Sequence, residues 1–148
     1  MAAGWPWDEA EKRSELFDAA SRFLIVRTRA DTAEKSAENL GYAMYRFDTE
    51  EQMKSDAMVP VVYCYELQVA AEARGQGVGR MLMETLERIG QAWQMSKVML
   101  TVLKGNKDAI KFYKALGYAP DEISPDQILP KYRAKRYNYY ILSRRMAA

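Results

Sequence analysis

The sequence predicts a mixed α/β sandwich, and three observations predict it. Successive β-rich segments separated by polar stretches suggest an antiparallel meander in the first half of the chain. Between residues 61 and 95 a strand, a loop with three closely spaced glycines and an apolar-periodic helix follow one another. The compact apolar segment Lys97–Leu103 comes next, and such a strand–helix–strand step implies a right-handed parallel crossover. A chain of 148 residues, 49% apolar and 28% charged, fits one soluble domain spanning 1–148.

Each element has its own signal. Asp8 suits the N-cap of a helix over 9–20, where Leu16, Phe17 and Ala20 give an apolar stripe at helical spacing. Residues 22–29 read as a strand and the polar stretch 30–39 as a hairpin loop. The next strand covers 40–47 with Asp48 at its end, and 49–58 reads as a second polar connection before a third strand over 59–69. Met81, Leu82, Leu86, Ile89, Ala92 and Trp93 place a helix over 78–95. A second helix over 107–116 is stopped by Gly117. Pro120, Pro125 and Pro130 make 119–135 an irregular surface loop, and the β-rich run 136–144 closes the sheet.

Composition narrows the chemistry. A net charge of +2 is too small to argue for DNA or RNA binding. No run approaches the roughly 18 apolar residues of a membrane span, and no basic region followed by an apolar run marks a signal peptide. One cysteine, Cys64, excludes an internal disulfide and suits a reducing compartment. Histidine is absent, which removes the commonest general base, the Ser-His and Cys-His pairs and most catalytic zinc sites. No metal site is expected. Acid–base work falls to Asp, Glu, Tyr, Lys, Cys or water.

The glycine loop is Arg74-Gly75-Gln76-Gly77-Val78-Gly79. Glycines turn tightly and let the backbone approach a ligand. The helix behind them offers unpaired N–H groups and a partial positive charge, a pocket for a diphosphate. Just upstream, Tyr63, Tyr65 and Glu66 set two phenols and a carboxylate beside that pocket. By strand alternation Glu66 and Cys64 share one face and Tyr63 and Tyr65 the other.

Arg74-x-x-Gly77-x-Gly79 between strand and helix resembles the acetyl-CoA loop of the GCN5-related N-acetyltransferase (GNAT) superfamily. Residues 107–118, Lys-Asp-Ala-Ile-Lys-Phe-Tyr-Lys-Ala-Leu-Gly-Tyr, resemble that superfamily's later helix. Trp5-x-Trp7, Arg46-Phe-Asp48, Tyr63-Cys-Tyr-Glu-Leu-Gln68, Lys97-Val-Met-Leu-Thr-Val102 and Ile141-Leu-Ser-Arg-Arg145 together look like the N-alpha-acetyltransferase 40 (NatD) family. That family acetylates the N-terminal amine of histones 4 and 2A, which begin Ser-Gly-Arg-Gly. No strand pattern precedes the first helix, where the superfamily usually has one, so a truncated N-terminus is an expectation.

The resemblance implies a GNAT fold with a mostly antiparallel sheet of about six or seven strands, and acetyl-CoA as cosubstrate. The N–H groups of Gln76, Gly77, Val78, Gly79 and Arg80 would bind the pyrophosphate, with Arg74 and Gly75 completing the loop. The backbone of Leu67, Gln68 and Val69 would meet the pantetheine arm and the acetyl oxygen. Glu66 is the leading general base, Asp48 a second base or an anchor for the acceptor amine. The superfamily's strand bulge would bring Tyr65 and Glu66 into one cleft. Tyr113 resembles the tyrosine that protonates the departing thiolate, and it also reads as core. Asn106 contacts CoA or caps a helix. Trp5, Asp48, Glu50, Tyr63, Tyr65, Thr101 and Tyr139 would hold the histone tail. A monomer in nucleus and cytoplasm, without membrane or nucleic-acid partners, completes the expectation.

Overall fold

The computed structural model describes residues 8–29, 36–53 and 55–147. Trp5 lies outside them. The elements run α1 (Glu9–Leu16), β1 (Arg22–Arg27), β2 (Asn39–Gln52), β3 (Ser55–Val69), α2 (Val78–Ala92), β4 (Lys97–Leu103), α3 (Lys107–Ala115), β5 (Ala119–Pro120), α4 (Pro125–Ile128), α5 (Lys131–Ala134) and β6 (Tyr139–Arg145). A six-stranded sheet takes the order β1-β2-β3-β4-β6-β5. Among the described residues β3 pairs with β4 in parallel, and every other pairing is antiparallel. The predicted mixed α/β sandwich, meander and parallel crossover pair are all present.

Asp8 caps α1, its Oδ1 accepting from the Glu11 N–H at 3.0 Å. The helix stops at Leu16, short of the predicted 20, because Asp18 Oδ1 takes the Ala20 N–H at 2.8 Å in a local turn that competes with helix. Phe17 stands 73% exposed, so it is not part of a buried stripe. The helical stripe of α2 is shifted similarly. Leu82, Met83 and Leu86 are buried, whereas Met81 and Trp93 face outward.

Two loops of the sequence reading are ordered structure. The stretch 49–58 continues β2 and β3 as a hairpin whose pairing reaches Gln52 opposite Ser55. Its polar side chains fit because the ribbon runs past the core, so neither face has to be apolar. Asp48 and Glu50 are therefore strand residues, not loop residues. The segment 119–135 carries β5, α4 and α5, and it buries Asp121, Ser124, Pro125 and Ala134. Backbone groups buried there need partners, and short helical turns supply them.

The core lies between one sheet face and α2 and α3. Tyr45, Val62, Cys64, Leu100, Val102 and Leu142 meet Leu82, Met83, Leu86 and Tyr113 there. The opposite face carries α1 and the polar residues of the candidate site.

Candidate active site

A bulge in β3 shapes the site. Met44 pairs with Glu66 and Tyr45 with Cys64, so Tyr65 is the extra residue. The inserted residue reverses the alternation. Upstream of it Tyr63 shares the α1 face with Arg46, its partner on β2. Downstream of it Glu66 points to that same face, while Cys64 stays on the core side. Strict alternation had set Glu66 beside Cys64, and the bulge corrects that. Tyr65 and Glu66 now line one cleft, as the superfamily's bulge implied.

The second feature is a split in the sheet. Parallel pairing of β3 with β4 ends at Cys64 opposite Leu100. Beyond it β3 remains paired with β2 to Val69, and β4 remains paired with β6 to Leu103. The two facing edges diverge without a partner strand. The resulting cleft of about 800 Å³ is lined by Glu66, Leu67, Gln68, Thr101, Asn106 and Tyr113, with Asp8, Glu11, Lys12 and Glu15 of α1 along its rim.

Beyond Gln68, which lines the cleft, the chain leaves β3 at Val69 and leads through the glycine loop into α2. Gly75 and Gly77 have φ of +78° and +82°, left-handed values that favour glycine. No atom lies within 4 Å of where a Cβ would sit at either glycine, so the loop is an open cradle. Gly77 is the N-cap and no side chain caps the helix, which leaves the first N–H groups for a ligand. The Arg80 side chain is engaged with Glu84 at 2.9 Å, and Arg74 is exposed. These residues fit the pyrophosphate of a CoA thioester.

Glu66 is held at both carboxylate oxygens. Oε2 accepts from the Tyr42 hydroxyl at 2.9 Å, and Oε1 forms an ion pair with Lys12 Nζ. Burial, then the bond to Glu66 and its charge, push the Tyr42 phenol up to about 12. Burial likewise pushes the Cys64 thiol up to about 12, which keeps it a neutral core residue. Tyr113 lines the cleft and is 8% exposed, against the rings of Phe112 and Tyr118. Burial raises its phenol well above the ordinary range. Asn106 caps α3 through a 3.2 Å bond from the Ala109 N–H, as expected of a capping residue, and it also lines the cleft.

The predicted acceptor residues form a neighbouring cluster. Tyr63 and Tyr65 have ring centroids 5.0 Å apart, and the Tyr63 hydroxyl bonds Thr101 Oγ1. Burial raises the Tyr63 phenol, opposed by the Thr101 bond and reinforced by Glu50, Tyr65 and Tyr139 nearby. Burial and the Asp48 carboxylate raise Glu50, and Lys97 opposes them. Asp48 is exposed, bonds the Thr49 N–H at 2.8 Å and does not line the cleft. The structure thus brings together Glu50, Tyr63, Tyr65, Thr101 and Tyr139, with Asp48 at the cluster's border.

Three residues escaped the sequence. Lys12 and Tyr42 hold Glu66, while Arg46 lies 4.6 Å over the Tyr65 ring and donates to the Glu15 carbonyl at 2.7 Å. Asp8, Glu11, Lys12 and Glu15 recur at helical spacing, so a charged face of α1 was legible where an apolar one was sought.

The Acetyltransferase (GNAT) family model matches residues 2–118. N-alpha-acetyltransferase 40 of Saccharomyces cerevisiae is 36% identical over 89 residues, 55% of this chain and 31% of that protein. Thialysine N-epsilon-acetyltransferase of Bos taurus is 31% identical over 78 residues, 53% of this chain and 43% of that protein. The chain thus spans less than half the length of these relatives. The crystal structure of Arabidopsis thaliana NAA60 in complex with a bisubstrate analogue shares the fold, with a TM-score of 0.68, 15% identity, and coverage of 95% of this chain and 85% of that one. With a split mixed sheet, an open glycine cradle and this family match, the chain belongs to the GNAT acetyltransferases, which move acetyl groups from acetyl-CoA to amines.

Proposed function

We propose that the chain is an N-terminal amino-acid acetyltransferase acting on the Ser-Gly-Arg-Gly tails of histones 4 and 2A, by direct transfer within a ternary complex. The observation that carries this is the bulge at Tyr65, which sets Tyr63, Tyr65 and Glu66 on one face beside the split strands. The Tyr-Cys-Tyr-Glu run and the partial likeness to the yeast N-alpha-acetyltransferase 40 support the choice of acceptor.

Bound acetyl-CoA supplies an activated thioester. The N–H groups of 76–80 hold its diphosphate, and the unpaired edge at Leu67–Val69 meets the pantetheine arm and the acetyl oxygen. An α-amino group has a pKa of about 8, so it needs only a modest base to attack. Glu66 takes that proton, directly or through a water. Tyr113, on the cleft wall, offers its hydroxyl as a hydrogen-bond donor to the leaving sulfur, although burial makes the phenol a weaker acid. Asp48 lies outside the cleft, which suits an anchor for the tail rather than the base. Glu50 and Asp48 offer the tail arginine carboxylates, and the tyrosines offer ring faces.

A second assignment is acetyl transfer to another amine, favoured by the thialysine N-epsilon-acetyltransferase likeness. A domain that binds without catalysis is the third. Mass spectrometry of a Ser-Gly-Arg-Gly peptide incubated with the protein and acetyl-CoA separates them. The expected product is the Nα-acetyl peptide, with a large loss of kcat/KM when the tail arginine becomes alanine. Activity confined to small or side-chain amines would replace the first assignment with the second.

A further inference from the structure

The cation on the cleft wall is the starting point. The residues lining the cleft include four carboxylates, Asp8, Glu11, Glu15 and Glu66, and one basic side chain, Lys12. Its Nζ is ion-paired with Glu66 Oε1 and lies 3.5 Å from Glu15 Oε1. The Lys12 side chain is 21% exposed, neither sealed in the core nor free in solvent. A primary amine on a flexible four-carbon stem therefore rests against the proposed base, inside the same cleft as Leu67, Gln68, Asn106 and Tyr113. Acetyl transfer needs an amine, a base and a thioester in one enclosure, and the chain itself brings the first two.

From this we infer that Lys12 is an internal acetyl acceptor, modified in cis when acetyl-CoA is bound and no acceptor peptide competes. This rests on the proposed acetyl-CoA site and on Glu66 as base. Glu66 takes one proton from the Lys12 ammonium, leaving a neutral amine. That nitrogen attacks the thioester carbonyl carbon, the N–C bond forms and the C–S bond breaks. The second proton lost from nitrogen ends on the sulfur, giving free CoA thiol and a neutral Nε-acetyl-lysine. Glu66 then passes its proton to solvent, and its Oε1, no longer paired with Lys12, is free for a peptide amine. The contact is thus both a placeholder for the acceptor and a group that the site can remove from its own wall.

The test is to incubate the full chain with isotope-labelled acetyl-CoA, digest it and map the label by mass spectrometry. Label is expected at Lys12 about tenfold ahead of any other lysine, because the amine is already positioned. Its rate per molecule should not change on dilution, should fall with excess Ser-Gly-Arg-Gly peptide, and should drop about 100-fold in Glu66→Gln. Lys12→Arg keeps a cation for the ion pair and should take no label there. Label spread evenly over surface lysines, or unchanged in Glu66→Gln, overturns the inference. Unlabelled Lys12 in a preparation that acetylates the peptide refutes this inference and leaves the proposed function standing. A preparation that labels neither overturns both.

Discussion

Glu66 is the proposed base, and its surroundings set what a substitution should do. Tyr42 and Lys12 fix its two oxygens on the cleft wall. Glu66→Gln keeps the shape and the Tyr42 contact but cannot take a proton. Its kcat is expected to fall by about 100-fold, with acetyl-CoA binding retained when measured by calorimetry. Full kcat in that variant across the pH range would move the base elsewhere. Cys64, two residues away, shows why side-chain type alone decides little. It is a nucleophile by chemistry, yet burial holds its thiol neutral among core residues.

At the scale of elements, the glycine loop and the crossover were legible in the sequence because each depends on neighbouring residues. Gly77 announces its left-handed turn, and β4 announces itself by a continuous apolar run. Gly77→Ala should cost about 1–2 kcal/mol for forcing φ of +82° on a residue with a Cβ. Weaker acetyl-CoA binding in titration should accompany the lower Tm. What the sequence did not show was set by partners far along the chain. The hairpin over 49–58 exists because Thr49 and Glu50 find Pro60 and Val59, not because its residues favour strand. The length of α1 was decided by Asp18, and the burial of 121–125 by the strand it packs on. The inner face of Lys12 depended on where α1 docks, which no local pattern specifies.

The molecule as a whole is pinned by a buried ion pair at the seam between the sheet and the segment after α3. Lys97 and Asp121 meet at 2.6 Å and are almost fully buried. Burial alone would raise the Asp121 carboxyl, but the bonds from Lys97, Ser143 and the Ile123 N–H outweigh it and hold it below its ordinary value. A carboxyl so depressed adds stability above the ordinary carboxylate range, and that stability is lost as pH falls through its lower native value. Asp121→Asn strands the lysine and should destabilise by about 3–5 kcal/mol. Replacing both partners with apolar residues should cost far less, and should flatten the acid side of a Tm-versus-pH curve. Equal losses in the single and double variants would show that the pair is not coupled.

Past Cys64 and Leu100 the two strand edges diverge, which leaves room for an extended ligand to lie between them. A ligand lying there acts as a short guest strand, and it stabilises the folded state by an amount that grows with its concentration relative to its Kd. The amides within Leu67–Val69 that face away from β2 should exchange with deuterium quickly in the free protein and slowly with acetyl-CoA, while those of β1, on the sheet's far edge, should hardly change. At the proposed acetyl-CoA site, Tm should therefore rise with acetyl-CoA concentration.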